Sequence, residues 1–249
     1  MECIKTVSAQ MVFLALVLVA LMTGWEIFSQ SDKAIAFFLP PPSLIWDRYW
    51  HELLQGELWQ STRYSLVILL IGLSLGCLLA IGGSMLLATF YNGSKHIEKL
   101  LLALSSIPPI AISPLLILWI GVGVFPKVFL ITFVVSIGAV VSMYEVIYEI
   151  LQNRCNWLRR MGIKTPKLLT VVVFPGILSL FLTAAKRQVP NAMLASFVGE
   201  SISSNQGLSH LIIRFSGLYD MSGAFTALIQ LALVSIVLIS VLDSIEQQH

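Results

Sequence analysis

The chain has 249 residues, of which 57% are apolar and only 11% charged, and its mean hydropathy is +0.88. Soluble domains carry about 25% charged residues, so this composition excludes a soluble enzyme or binding module, and a net charge of +2 gives no reason to expect a nucleic-acid partner. A membrane-spanning helix needs about 20 mostly apolar residues, which leaves room for about six crossings and for no sizeable soluble domain.

The first apolar run, Met11 to Phe28, follows a short leader containing Lys5. No small-x-small cleavage site follows it, and Trp25, Glu26 and Phe28 suit an interfacial anchor, so a retained transmembrane helix is expected rather than a cleaved signal peptide. The mixed segment 31–62 contains Leu39-Pro40-Pro41-Pro42-Ser43. Successive prolines cannot sit inside a helix, because each lacks an N–H and clashes with the preceding turn. The aromatics Trp46, Tyr49, Trp50 and Trp59 that follow suggest an amphipathic helix lying at the membrane interface.

A second crossing is expected from about Arg63 to Phe90, where Gly72 and Gly76 form a G-x-x-x-G pair that admits close approach of another helix. A polar hinge, Tyr91 to Lys99, follows. Crossing three is expected at about Leu100 to Ile120, interrupted by Pro108, Pro109 and Pro114, and crossing four at about Phe125 to Tyr144. Crossing five is placed at about Leu168 to Ser201 and crossing six at about Gly223 to Leu242, with a short outer helix over Ser209 to Phe215 in which Arg214 has no assigned role.

Basic residues set the orientation. With the N-terminus in the cytoplasm, the cytoplasmic segments hold Lys5, Lys95, Lys99, Arg154, Arg159, Arg160, Lys164 and Lys167, against Lys33, Arg48, Lys127 and Arg214 outside, with Arg63 at a border. This satisfies the positive-inside bias and puts both termini in the cytoplasm.

There is no G-x-x-x-x-G-K-[ST] phosphate loop, so the chain is not expected to hydrolyse nucleotide itself, and there is no H-E-x-x-H. The four histidines are dispersed, without the spacing a metal site needs. Cys3, Cys77 and Cys155 are an odd, scattered set that makes no disulfide framework. The polar stretch from Glu145 to Lys167 carries a cluster of basic residues, and Ile147, Leu151, Leu158 and Met161 fall at helical spacing up to a stop at Gly162. Such a helix could dock into the groove of a cytoplasmic partner, or the loop could be a basic segment that only sets topology.

Within crossing five, Lys186, Arg187 and Gln188 are followed by Pro190 and Asn191. A charge at the bilayer centre costs at least about 2.5–3.5 kcal/mol, which argues for a watery path or a partner. The alternative is a later start of the crossing, with both cations snorkelling to the surface. Glu200, roughly 20 Å from Arg187 along a helix, is expected near the outer end, as a gate residue or as a cap for the loop after it.

The run Gly162-Ile163-Lys164-Thr165-Pro166-Lys167 with Val171-Val172-Val173-Phe174-Pro175 resembles the cytoplasmic coupling loop of binding-protein-dependent ABC transporter permeases. So do Leu39-Pro40-Pro41-Pro42 ahead of the interfacial segment, Ser106-Ile107-Pro108-Pro109-Ile110-Ala111 with Pro114-Leu115, Leu118-Trp119-Ile120-Gly121-Val122-Gly123, Phe197-Val198-Gly199-Glu200, and Gly207-Leu208. In this order they resemble the nitrate/sulfonate/taurine branch of that family, over nearly the whole chain. Two departures stand out. Asn156, Trp157 and Leu158 occupy the positions of the family's E-A-A, and Lys186, Gln188, Pro190 and Met193 replace the arginine, small residues and tryptophan usual in the fifth helix.

The resemblance implies an all-α polytopic membrane protein with the type I ABC importer permease fold, a single domain over 1–249 with an interfacial segment at 31–62 and a coupling loop at 145–169. It implies a bacterial cytoplasmic (inner) membrane location and a second permease copy, as homodimer or heterodimer. A lipid-anchored or periplasmic substrate-binding protein and cytoplasmic ATPase subunits complete the expected assembly. ATP-Mg would be bound by the ATPase and no cofactor by this chain. Asn156, Trp157, Leu158, Gly162, Lys164 and Pro175 then couple to the ATPase, while Lys186, Arg187, Gln188, Pro190, Asn191 and Glu200 line the translocation pathway. Gly72, Gly76, Pro108, Pro109 and Pro114 shape helix packing. The expected solute is small and polar, with the basic pair favouring an anion such as nitrate, a sulfonate, taurine or bicarbonate. Heterocyclic vitamin precursors are the alternative, and a permease-fold scaffold or heterodimer partner with weakened ATPase coupling is the competing reading of the altered E-A-A site. A secondary transporter would show matching broken helices in two halves, which the prolines at 108–114 do not provide.

Overall fold

The computed structural model describes residues 2–89, 94–149, 177–203 and 205–247. Their regular structure is entirely helical: α1 (Glu2–Gln30), α2 (Lys33–Phe38), α3 (Pro42–Leu54), α4 (Leu58–Thr89), α5 (Ser94–Ser105), α6 (Pro109–Ile120), α7 (Val124–Glu149), α8 (Ile177–Ser203), α9 (Leu208–Gly217) and α10 (Met221–Glu246). Four spans within these helices are long and apolar enough to cross a membrane: Val12–Gln30, Leu58–Leu87, Val124–Ile147 and Met221–Glu246. The 27-residue α8 matches them in length but carries Lys186, Arg187 and Glu200.

Several boundaries differ from those read in the sequence, each for a local reason. Crossing three is two helices, α5 and α6, because Pro108 and Pro109 follow a helix end at which the Ser105 and Ser106 hydroxyls donate to the Leu102 and Ala103 carbonyls at 2.8 and 2.7 Å. Pro109 opens α6 at the first helical position, where its missing N–H has no intrahelical partner to lose. The expected hinge Tyr91–Lys99 is helical from Ser94 onward. Crossing two begins at Leu58, so Trp59 belongs to its first turn rather than to the interfacial helix.

The chain divides into two compact units, Met1–Trp59 with Leu211–Ile229, and Gln60–His210 with Gln230–His249. In the first, the Glu26 carboxylate near the end of α1 accepts from the Ser43 hydroxyl at 2.7 Å and the Ser43 N–H at 3.1 Å, capping the first turn of α3. Asp220 caps α10 by accepting from the Ser222 hydroxyl at 2.8 Å and the Gly223 N–H at 3.0 Å, the ordinary N-cap geometry. Arg48 of α3 ties the two together through Asp220 at 3.0 Å and Glu52 at 3.0 Å. Arg214, unassigned from sequence, pairs with Glu57 at 2.8 Å. Trp46, Tyr49 and Trp50 form a ring cluster on α3, with Trp46 and Trp50 exposed, as an interfacial helix requires.

The second unit holds the main core, built from Ile68, Leu69, Leu73, Cys77, Leu116, Leu130, Ile131, Val135, Ala185, Val189, Ala192 and Ala195. Gly72 and Gly76 lie on the face of α4 that meets α7: a Cβ at either would stand 2.6 Å from Ile131 or Val135. At this closest approach the Thr132 hydroxyl donates to the Gly72 carbonyl at 3.3 Å. α8 then packs its small residues, Ala185, Ala192 and Ala195, into the same core.

Candidate functional site

Small side chains on one face and polar or bulky ones on the other give α8 two distinct sides. Ala185, Gln188, Val189, Ala192, Ala195 and Ser196 are buried. Arg187, Pro190, Asn191 and Leu194 are exposed and fall at i, i+3, i+4 and i+7, so they form one stripe. Pro190 lies inside this helix and cannot donate to the carbonyl one turn earlier, leaving a backbone acceptor at Lys186 beside the stripe.

The six pathway candidates separate into four groups. Lys186 is engaged by the end of α10: it pairs with Asp243 and, at 3.2 Å, with Glu246, whose carboxylate also accepts from the Thr183 hydroxyl at 2.6 Å. Gln188 turns inward, where only a glycine leaves room for it: a Cβ at Gly138 of α7 would stand 2.5 Å from its Oε1. Its amide oxygen accepts from Asn191 Nδ2 at 2.8 Å, which joins the buried and the exposed side of the helix. Arg187, Pro190 and Asn191 share the exposed stripe. Glu200 stands apart from all of these: it is fully buried, and accepts from the Ser209 N–H at 3.1 Å and the Ser196 hydroxyl at 3.3 Å.

Asn191 and Leu194 also border a cavity of about 120 Å³, whose other walls include Ser105 and Ile107 at the α5–α6 break and Phe133 and Ile137 of α7. The break at Pro108 thus opens beside the polar stripe of α8. Chemically the site offers an amide edge in apolar surroundings, with a guanidinium one turn away along the helix.

Asn156, Trp157, Leu158, Gly162, Lys164 and Pro175, the expected coupling residues, lie outside the described residues. So does most of the 145–169 loop, of which 145–149 form the last residues of α7. Among the described residues no group of His, Cys, Asp or Glu is placed to hold a metal ion. Sequence reasoning missed Tyr64, Ser65 and Lys127. Lys127 was counted only as an outer-side cation, yet it is 2% exposed.

A family model described as binding-protein-dependent transport system inner membrane component matches residues 72–248. The chain belongs to this family. Over 225 residues, 90% of this chain and 84% of that protein, it is 28% identical to the riboflavin transport system permease protein RibX of Chloroflexus aurantiacus. It is 28% identical over 228 residues to the formylaminopyrimidine transport permease protein ThiX of Halalkalibacterium halodurans, covering 91% of this chain and 90% of that one. The taurine transport system permease protein TauC of Escherichia coli is 23% identical over 200 residues, 78% of this chain and 73% of its own length. As an ABC permease the protein is a multi-pass membrane subunit of an importer and is not itself the ATPase. ATPase and substrate-binding protein partners go with the family in general.

Proposed function

We propose that this chain carries a small polar solute through a path lined by the α8 stripe, in a pair of permease subunits driven by a cytoplasmic ATPase docked on the 145–169 loop. The observation that carries the reading is the stripe itself. Arg187 and Asn191 are exposed on a helix of membrane-spanning length, and polar groups left facing hydrocarbon are costly. A second copy facing this stripe, with water and solute between the copies, removes that cost. Alternating access then follows from rocking of the two subunits.

Orientation with both termini in the cytoplasm is supported by the charge distribution, and the relative directions of the crossings by their contacts. The loop between crossings four and five holds the densest cluster of basic residues, as the positive-inside bias requires. The start of α4 at Tyr64 and the start of α7 at Lys127 meet each other, while Gly199, near the end of α8, packs on Lys127. That arrangement fits crossings two and four entering from one face and crossing five leaving toward it.

Engagement of Lys186 by two carboxylates removes half of the charge argument for an anionic solute, which then rests on Arg187. A neutral heterocycle is the second reading, favoured by the Asn191 amide edge on the cavity and by the two relatives named for riboflavin and formylaminopyrimidine transport. Uptake of labelled taurine and labelled riboflavin into vesicles carrying the assembled importer separates the readings. The anion reading predicts taurine uptake that falls at least tenfold in Arg187→Gln. Riboflavin uptake that survives Arg187→Gln and is lost in Asn191→Ala would replace it with the heterocycle reading. Unchanged uptake of whichever solute is carried in both variants would remove the stripe from the path.

A further inference from the structure

Lys127 lies one turn into α7. Its Nζ donates to the Tyr64 hydroxyl at 2.9 Å and stands 5.0 Å from the centre of the Tyr64 ring. The stem of the lysine packs on Gly199: a Cβ there would lie 3.4 Å from Lys127 Cγ, in ordinary contact. The next residue along α8 is Glu200, whose side chain is fully buried.

The carboxylate in turn holds the start of α9. Leu208 and Ser209 are the first residues of that helix, so their amides have no acceptor within it. The Ser209 N–H donates to Glu200 at 3.1 Å. The Leu208 N–H donates to Ser65 Oγ at 2.8 Å, and Ser65 is the chain neighbour of Tyr64. Gly207, at a φ of +111°, lies so close to the carboxylate that any side chain there would collide with it. Glu200 therefore caps a helix that begins several residues later, at the end where the helix dipole favours negative charge.

Buried charged groups seldom add stability over apolar contacts of the same volume, and fixing register is their best-attested use. Here the register of α9 places one free amide on the Glu200 carboxylate and the next on Ser65. We propose that Lys127 and Tyr64 are positioning residues: acting as a compensated pair with Glu200, they seat the first turn of α9. This goes beyond the reading of the chain as a permease and depends on neither the solute nor the orientation.

Ser209 is fully buried, so the reporter is Ser209→Cys in the full chain, with Cys3, Cys77 and Cys155 replaced by alanine, purified into lipid nanodiscs and reacted with fluorescein maleimide. The thiol should react slowly in this background. It should react at least tenfold faster in Lys127→Met and in Glu200→Gln, and a few-fold faster in Tyr64→Phe. The double variant Lys127→Met with Glu200→Gln, in which no charge is left unpaired, should return to within about threefold of the parent. A single Lys127→Met variant as slow as the parent overturns the proposal, as does a double variant faster than either single. Thr226→Cys, also fully buried, is the control: if it reacts faster together with Ser209→Cys, the lysine supports the bundle as a whole and the seat is refuted. Should Lys127→Met fail to purify, Tyr64→Phe and the double variant decide alone, an unchanged Tyr64→Phe rate counting against the proposal.

Discussion

At Gly72 and Gly76 a single added carbon would meet Ile131 and Val135 at 2.6 Å, whereas at Gly82, on the same helix, nothing lies within 4 Å. Overpacking typically costs about 1–3 kcal/mol, while glycine in an open helical position costs about 0.5–1 kcal/mol relative to alanine. Gly76→Val should therefore lower the detergent Tm by several degrees, and Gly82→Ala should leave it unchanged or raise it slightly; the reverse order would mean that α4 and α7 do not meet on this face. Asp220 makes a pH-dependent contribution. Partial burial pushes its carboxyl up, but the Gly223 amide, the Ser222 hydroxyl and Arg48 outweigh this and hold it below the ordinary value of 3.8. A depressed folded pKa contributes stability above the ordinary value, and that contribution is lost as pH falls through the depressed one. Wild type should be more stable than Asp220→Asn at pH 7, and the gap should close below about pH 4. A gap independent of pH would remove the ionised carboxylate from the cap.

Apolar runs made most of the helices legible, because a stretch of about 20 apolar residues has few structural options in a bilayer. Their interruptions were harder to place. The prolines at 108 and 109 were visible, yet whether they bend one crossing or divide it depends on how Ser105 and Ser106 take up the carbonyls at the end of α5. In α8 the composition announced Lys186 as intramembrane charge, but its partners, Asp243 and Glu246, are some 60 residues later and no local pattern links them. The same holds for Lys127, whose partner Tyr64 is 63 residues away. For α8 the pairing has a consequence: Lys186→Met should lower Tm by leaving two carboxylates facing each other, and adding Glu246→Gln should recover most of the loss. If the second change lowers Tm further, the lysine is not what neutralises that end of α10.

Motifs spread along the chain, rather than any one site, made the family legible at the scale of the whole molecule. The short glycine and proline signatures from 106 to 208 fall inside the 72–248 match, and among the described residues three of them mark restricted backbone: the break at Pro108 and the left-handed Gly121 and Gly207. Solute identity left no such mark, since relatives named for riboflavin, formylaminopyrimidine and taurine transport align over most of the same chain. The central claim is that a separate ATPase drives this permease through the loop around Gly162, although Asn156, Trp157 and Leu158 depart there from the family's E-A-A. Mild-detergent purification of the tagged chain from its native membrane, with mass spectrometry of what co-elutes, tests that claim most directly. The account predicts a stoichiometric ATPase whose retention is lost when Trp157 and Gly162 are replaced; a permease pair that elutes without any ATPase, under conditions that keep other importers of the family whole, would contradict it.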